Sequence, residues 1–541
     1  MRRNLEIPQG KRTKLYRFFE ILPGAISYGA IILLFVLSLI DPVLGAVYLF
    51  ILIASTLVKA IGVAYRTVQG YEVIKRAERV DWRRRVEDLA DPHVAYERLH
   101  DDDNKSYHFD EHIANLKMMV AMGKEYPDPR KVYHVVIMTA YNEGIEVLGP
   151  SVKAVQDTTF PNERIIFALA YEERGGEEMA ATAKALKAQY KGVFRDFLLI
   201  QHPDNLRGEV VGKGPNLTYA GKAIADYVRA KHLPIENIIV TSLDSDNHMA
   251  PKYLDSVAYE FITHPNRQRL SYQPVSLFMN NIWDAPAPTR VIAVSNSFFN
   301  IISTMRPHTL RNFASHSQPL QALEAMDFWS KRTIVEDGHQ YWRSLFFFSG
   351  DYSVVPIRIP IYQDAVMDDS FWKTVKAQFI QVRRWYYGAS DVAYVGSKLF
   401  VRRDQRIVPF WQLFPKFWRL LDGHVTLAIM APLITFGAWV PMIMNASSHV
   451  MVAYNLPNIV SVIETIASIG LLITVLVSLR ILPKRPARYR KGRHLLMVVQ
   501  WILMPVTSIL YQSIAAYYAQ TRLMLGLYME KFDVTKKVVK K

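Results

Sequence analysis

The chain has no cysteine in its 541 residues. Disulfides and thiolate-bound zinc are therefore excluded, and a reducing compartment is compatible. It also has no internal repeat and no low-complexity tract. Acid is the scarcer charge: 49 Asp and Glu stand against 65 Lys and Arg, a formal net charge of +16. Such an excess serves nucleic acid, anionic lipid or a negative substrate. Here the basic residues gather beside apolar runs, and the polar middle of the chain has no aromatic and basic stripe. The charge is therefore assigned to topology and anionic lipid, and nucleic acid is not an expected partner. What is plentiful is apolar sequence: half of the residues are hydrophobic, yet 21% are charged. That mixture reads as membrane spans joined to a polar domain.

The apolar runs define the organisation. Residues 21–40 and 43–64, parted by Asp41-Pro42, each approach the roughly 20 residues that a helix needs to cross a bilayer. Two such runs in succession read as a helical hairpin rather than a cleaved leader. Basic residues flank both outer ends, Arg2 to Arg17 on one side and Arg66 to Arg85 on the other, which places both ends in the cytoplasm. Residues 425–444, 459–479 and 495–517 are three further runs, the second containing Glu464. The loop 445–458 lacks Lys and Arg, whereas 480–493 is basic and lacks acids, so the first is expected outside and the second inside. A fifth span would leave the basic tail outside, unless Pro505 breaks the last run into a re-entrant or interfacial helix. Phe410, Trp411, Phe414, Phe417 and Trp418 recur at helical spacing among Arg and Lys, as in a helix lying in the membrane interface. The expected division is a transmembrane hairpin at 1–65, a charged helical linker at 66–131, a cytosolic domain at 132–395, interfacial helices at 396–424, transmembrane helices at 425–520 and a basic tail at 521–541.

Within 132–395, residues 135–138, 165–169, 197–200 and 238–241 read as strands, separated by helical stretches at 178–190 and 217–230. Strands alternating with helices imply an α/β domain, with a largely parallel sheet and helices on both faces. The fourth strand ends in Asp244-Ser245-Asp246. Acids at the carboxyl end of a parallel strand lie in the crevice where such sheets bind ligands. Two hard oxygen donors there suit a divalent cation that already carries a diphosphate.

Three other short patterns accompany that one. Thr139-Ala140-Tyr141-Asn142-Glu143 follows the first strand, Lys213-Gly214-Pro215-Asn216 opens a helix, and Val335-Glu336-Asp337 is followed by Gln381-Val382-Arg383-Arg384-Trp385. Their order, spacing and strand-end placement resemble those of membrane-embedded family 2 glycosyltransferases, the group of cellulose, chitin and hyaluronan synthases, over about residues 132–394. The resemblance implies a GT-A-like, Rossmann-type mixed sheet flanked by transmembrane helices. It implies an inverting transfer of sugar from a nucleotide-sugar donor, expected to be UDP-linked, to a growing polysaccharide at the cytoplasmic face of the inner membrane. Export of the polymer through the spans would follow where the enzyme is processive.

The resemblance also distributes roles. Asp337 is the base that takes the acceptor proton, with Glu336 as its partner. Asp246, with Asp244, holds Mg2+ or Mn2+. Tyr141, Glu143, Glu172, Lys213, Asp244, Asp246 and Arg384 face the donor, and Gln381 and Trp385 face a glycan or lipid-linked acceptor. Asp337 also suits a helix N-cap. The chain departs from the family pattern at Tyr171-Glu172-Glu173-Arg174 and at Phe313-Ala314-Ser315-His316-Ser317, on the nucleobase and acceptor sides respectively. One alternative is a single-addition enzyme making a polyprenyl-linked or other glycolipid. Another is a transporter or receptor with an inactive transferase-like domain, against which the acids at Asp244, Asp246 and Asp337 argue.

Overall fold

A computed structural model of the chain describes residues 5–102, 104, 106–123, 126–445 and 451–533. Arg2, Arg3, Asp103, part of the loop 445–458 and the last eight residues of the basic tail lie outside them, as does the side chain of Glu464.

Two long helices lead the chain. Helix α1 (Lys14–Ile40) starts at Thr13, whose hydroxyl accepts the Tyr16 N–H at 3.2 Å. Asp41 ends it and caps the next, accepting the Val43 N–H at 2.7 Å, with Pro42 in the first helical position of α2 (Pro42–Arg79). Helix α2 does not stop near residue 65. Its 38 residues make a rod of about 57 Å at 1.5 Å per residue, well beyond a hydrocarbon core of about 30 Å. The apolar part and the basic part of the sequence are thus one continuous helix. Leu39, Ile40, Ile51 and Val58 on these helices are exposed, the inverse of a water-soluble bundle.

The middle of the chain forms an eight-stranded sheet in the order β3-β2-β1-β4-β7-β6-β8-β5. Its members are β1 (Tyr133–Ala140), β2 (Ile165–Glu172), β3 (Asp196–His202), β4 (Ile238–Asp244), β5 (His248–Met249), β6 (Leu270–Leu277), β7 (His316–Pro319) and β8 (Ser353–Tyr362). The half built from β3, β2, β1 and β4 is parallel, β7 runs antiparallel to both β4 and β6, and β6 and β8 are again parallel. Strand periodicity explains why both faces are covered. Val136, Met138, Phe167 and Leu169 point to one face, where the helices Ile145–Gln156, Gly176–Gln189 and Tyr253–Thr263 pack. Val135, Ile137, Ile166 and Ala168 point to the other, against Leu217, Ala220 and Ile224 of α3 (Lys213–Ala230). The expected class, a largely parallel α/β sheet with helices on both faces and apolar helices flanking it, is the one observed.

The site-bearing helices after β6 are α4 (Ala287–Thr304), α5 (Glu336–Phe347) and α6 (Phe371–Tyr386). Then come α7 (Phe410–Phe436), α8 (Met451–Ile481) and the composite α9 (Arg493–Leu525). Among the described residues, α1, α2, α7 and α9 are long and apolar enough to cross a membrane. The aromatic stretch that begins at Phe410 and the apolar run that follows it are one helix, uninterrupted by Pro415 and Pro432. In α9 the α-geometry gives way to a 3-10 turn at Gln500–Leu503, just before Pro505, and to a π-turn at Ser508–Ser513. Pro505 lacks the N–H that a regular helix would use there.

Candidate active site

The topology dictates where a ligand site can form. From β1 the chain moves outward to β2 and β3, then returns to place β4 on the other side of β1. The carboxyl ends of β1 and β4 therefore flank a topological switch point, where parallel sheets open a crevice. Register puts Thr139 opposite Asp244, so Tyr141-Asn142-Glu143 and Asp244-Ser245-Asp246 leave the sheet side by side. The two turns are tied together. Glu143 accepts the Tyr141 N–H at 2.8 Å and the Asn142 N–H at 3.2 Å through one oxygen, and the Ser245 hydroxyl at 2.9 Å through the other. Glu143 thus shapes the crevice by bracing both loops.

Lys213, at the start of α3, reaches Asp244 with Nζ 2.5 Å from Oδ1. It can do so because Asn216 pins that turn to β2 through a 2.9 Å bond to the Ala170 carbonyl. Gly214 also admits a neighbour: a Cβ there would sit 2.3 Å from the Ser330 carbonyl oxygen and 3.1 Å from Cβ of Glu336. The segment carrying Glu336 and Asp337 therefore closes directly onto the start of α3. The cap of α5 is Val335, not Asp337, so both acids stand in the first turn, at the positive end of the helix. Asp337 accepts the Ala314 N–H at 2.6 Å on one oxygen and the Gly338 N–H at 2.7 Å on the other. Ala314 adopts φ +41°, a left-handed backbone uncommon for a residue with a Cβ, and so aims its N–H at Asp337.

Arg384 completes the cluster from the last turn of α6. Its guanidinium lies 3.6 Å from the centroid of Phe532, and its Nε is buried with no hydrogen-bond partner among the described residues. Burial lowers its pKa, opposed by Glu336, Asp337, Asp244 and Asp533, which raise it. For Lys213 burial acts in the same sense, but Asp244, Glu336 and Asp337 outweigh it and hold the ammonium above its ordinary value. Glu336 is 3% exposed, and one carboxyl oxygen has no hydrogen-bond partner among the described residues. Burial and then the Asp337 charge push it up to about 8, against Lys213 and Arg384. Asp244, Lys213, Glu336, Asp337 and Arg384 thus stand within electrostatic reach of one another. Asp246 stands on the turn after β4, its carboxylate 3.4 Å from the Asp364 N–H and its carbonyl 2.9 Å from the Asn280 amide.

The raised Glu336 has a consequence for stability. Its ordinary value is 4.5 and its folded value about 8. The stability that goes with its neutral form is fully present below the ordinary value and is lost as pH rises through the folded one. The apparent Tm of Glu336→Gln, followed from pH 5 to pH 9, will therefore fall less with rising pH than that of the native protein. Parallel curves would remove Glu336 from the buried, neutral role.

The other expected site residues form two separate groups. On the β1 and β2 side, Arg174 binds Glu172, one contact at 3.0 Å, and lays its guanidinium 4.0 Å from the centre of the Tyr141 ring. On α6, Gln381 accepts a 3.2 Å bond from Gln378, and Trp385 packs against Phe278 at 6.0 Å between centroids.

Three contributors escape a reading of short patterns. Arg174 sits beside the acids that drew attention at the nucleobase side. His316 is 1% exposed; it bonds the Ala314 carbonyl at 3.1 Å through Nδ1, and its Nε2 has no hydrogen-bond partner among the described residues. Burial takes it down to about 4, so it is neutral at physiological pH. The third is the tail: Phe532 donates its N–H to the Val211 carbonyl at 2.8 Å, and Asp533 pairs with Arg383 at 2.6 Å. The basic tail therefore begins with a strap across the cluster, joined to it by backbone bonds that no composition signal announces.

A divalent cation is the group these acids would hold. Among the described residues no three His, Cys, Asp or Glu side chains cluster as a complete metal site. One or two carboxylates with substrate phosphates is the usual arrangement for Mg2+, so Asp246 and Asp244 fit that need.

A family profile described as Glycosyl transferase family group 2 matches residues 239–519. No curated protein matches the sequence. Among solved structures, the mannosyltransferase PcManGT from Pyrobaculum calidifontis, in complex with GDP-Man and Mn2+, is 12% identical with a TM-score of 0.41, over 72% of this chain and 98% of that one. S. aureus TarS 1-349 in complex with UDP is 9% identical with a TM-score of 0.31, over 73% of this chain and 93% of that one.

Proposed function

The chain belongs to glycosyl transferase family group 2, and from that premise we propose that it is an inverting, metal-dependent transferase. It moves a sugar from a nucleotide-sugar donor, UDP-linked in this reading, onto a growing polysaccharide at the cytoplasmic face of a membrane. The observation that carries the reading is the convergence of Asp244, Lys213, Glu336, Asp337 and Arg384 at the switch-point crevice. Cations and one half-buried base brought within reach of one another are what displacement of a diphosphate requires.

The roles follow from the chemistry of each group. Asp337, held by the two N–H groups, takes the proton of the attacking hydroxyl. Glu336, neutral below about pH 8, adds no negative charge beside it and preserves the space for the donor. Arg384 and Lys213 draw the diphosphate toward them as charge builds on it. When bound to Asp246 and Asp244, Mg2+ or Mn2+ supplies Lewis-acid neutralisation of the leaving group. With Asp337 as the one base, a direct displacement needs no covalent intermediate and inverts the anomeric centre. The flanking apolar helices, with the basic loop 480–493 inside, fit a cytosolic site beneath a bilayer. Division of the chain into hairpin, linker, catalytic domain and later spans follows the same reading.

The test is to incubate the purified full-length protein in detergent with a panel of nucleotide sugars and Mn2+, and to measure released nucleotide. One donor turning over above the rest supports the reading, and its product length separates polymer synthesis from single addition to a lipid. No nucleotide release from any donor or acceptor, by protein that is folded and binds nucleotide, would instead favour an inactive domain in a transporter or receptor.

A further inference from the structure

A cleft of about 380 Å3 opens away from the catalytic cluster, between residues 284–290 at the start of α4, residues 367–374 at the start of α6, and Arg493 at the start of α9. Arg290 lines it and is 3% exposed. Its guanidinium meets only neutral acceptors, the Gln500 side-chain oxygen at 2.6 Å and the Ala285 carbonyl at 2.7 Å. Arg493 bonds the Trp283 carbonyl at 2.9 Å, and its Nε is buried with no hydrogen-bond partner among the described residues. Among the described residues neither guanidinium has a carboxylate partner.

Three further observations sharpen the imbalance. Arg290 lies in the opening turn of an 18-residue helix with no acid in that turn and no side-chain cap, where a cation opposes the helix dipole. Burial and then Arg493 lower the Arg290 pKa to about 10, so the two cations work against each other. The acids that line the cleft have partners of their own. Asp284 binds Arg488 at 2.8 Å and the Tyr489 hydroxyl, Asp368 accepts the Asp369 N–H at 2.7 Å, and Asp369 lies 3.9 Å from Lys373. A buried cation without a counter-charge is costly.

We propose that this cleft is a binding site for a phosphate group, held by Arg290 and Arg493. The fork of an arginine matches phosphate oxygens in pairs. Arg493 is the first residue of a helix long and apolar enough to cross a membrane, so the phosphate of a lipid headgroup would arrive at the right level, as would a soluble phosphate. The cleft stands apart from the Arg384 side of the cluster: along α6, Phe371 and Arg384 are about 20 Å apart at 1.5 Å per residue. The inference rests on Arg290 and Arg493, neither of which belongs to the donor cluster, and it stands whether or not the chain transfers sugar.

The test uses the full-length protein stripped of lipid in detergent. One arm titrates inorganic phosphate and follows apparent Tm. The other reconstitutes the protein with phosphatidylglycerol or with a phosphate-free galactolipid, and counts retained lipid by native mass spectrometry. Saturable uptake of phosphatidylglycerol alone identifies the headgroup as the source, and a saturable response to inorganic phosphate identifies the soluble one; both support the site. Arg493→Gln will weaken the response about tenfold or more. Arg290→Gln will do the same if it folds; Arg493→Gln decides the matter if it does not, because Arg290 also holds Gln500 and Ala285. No saturable response in either arm, or undiminished binding in Arg493→Gln, would overturn the proposal.

Discussion

Asp337→Asn will lower sugar transfer by about 10²- to 10⁴-fold, the usual worth of a positioned general base. Asparagine keeps the size of the side chain and one acceptor oxygen, so the contact with the Ala314 N–H can persist while basicity is lost. Membrane insertion and apparent Tm will stay near native, because Asp337 is only half-buried. The measurement is nucleotide released per enzyme at saturating donor. Glu336→Gln is the companion variant: its site already holds a neutral carboxyl below about pH 8, so its loss of activity will be smaller than that of Asp337→Asn at neutral pH. The reverse order would exchange the two roles.

Asp246→Ala will reduce transfer by about 10³-fold, a loss of several kcal/mol of charge stabilisation on the leaving diphosphate. Chelation by EDTA will stop the native enzyme to a similar degree. A readout independent of turnover is Mn2+ binding followed by electron paramagnetic resonance with a nucleoside diphosphate present. Native protein will immobilise the ion and Asp246→Ala will not. Transfer that persists without divalent cation, or Mn2+ bound equally well by the variant, would remove Asp246 from this role. The variant will not unfold the sheet, since the Asn280 amide bonds the backbone carbonyl of residue 246 and not its side chain.

The parts that sequence made legible are those whose signal is local. The β-branched run Ile238 to Thr241 ending in Asp244 is a strand because it is buried on both faces, and burial by helices on both sides leaves an almost unbroken apolar run. Lys213, Asp244, Glu336, Asp337 and Arg384 are charged residues at element ends, where chemistry-bearing side chains are easy to see. The parts that were not legible depend on contacts between distant segments. Nothing near Phe532 indicates that it will stack on Arg384, about 150 residues earlier in the chain. Arg174 over Tyr141 is set by how β1 and β2 pair, not by either loop alone. Helix α2 shows the limit of reading by composition: polarity changes near residue 65, but helical hydrogen bonding continues to Arg79, because no proline follows Pro42 to interrupt it. Asp337 shows the reverse, since its fitness as a cap was sound while Val335 took that place, leaving the acid inside the turn with both oxygens held by backbone.

The most direct measurement of the central claim is a cryo-electron microscopy structure of the full-length protein with Mn2+ and the nucleoside diphosphate of the donor it uses. The metal is expected within coordination distance of Asp246, the diphosphate between that metal and Arg384, and Asp337 facing the open side where an acceptor hydroxyl would enter. Nucleotide bound at another surface, with Asp246, Asp337 and Arg384 not touching a common ligand, would contradict it.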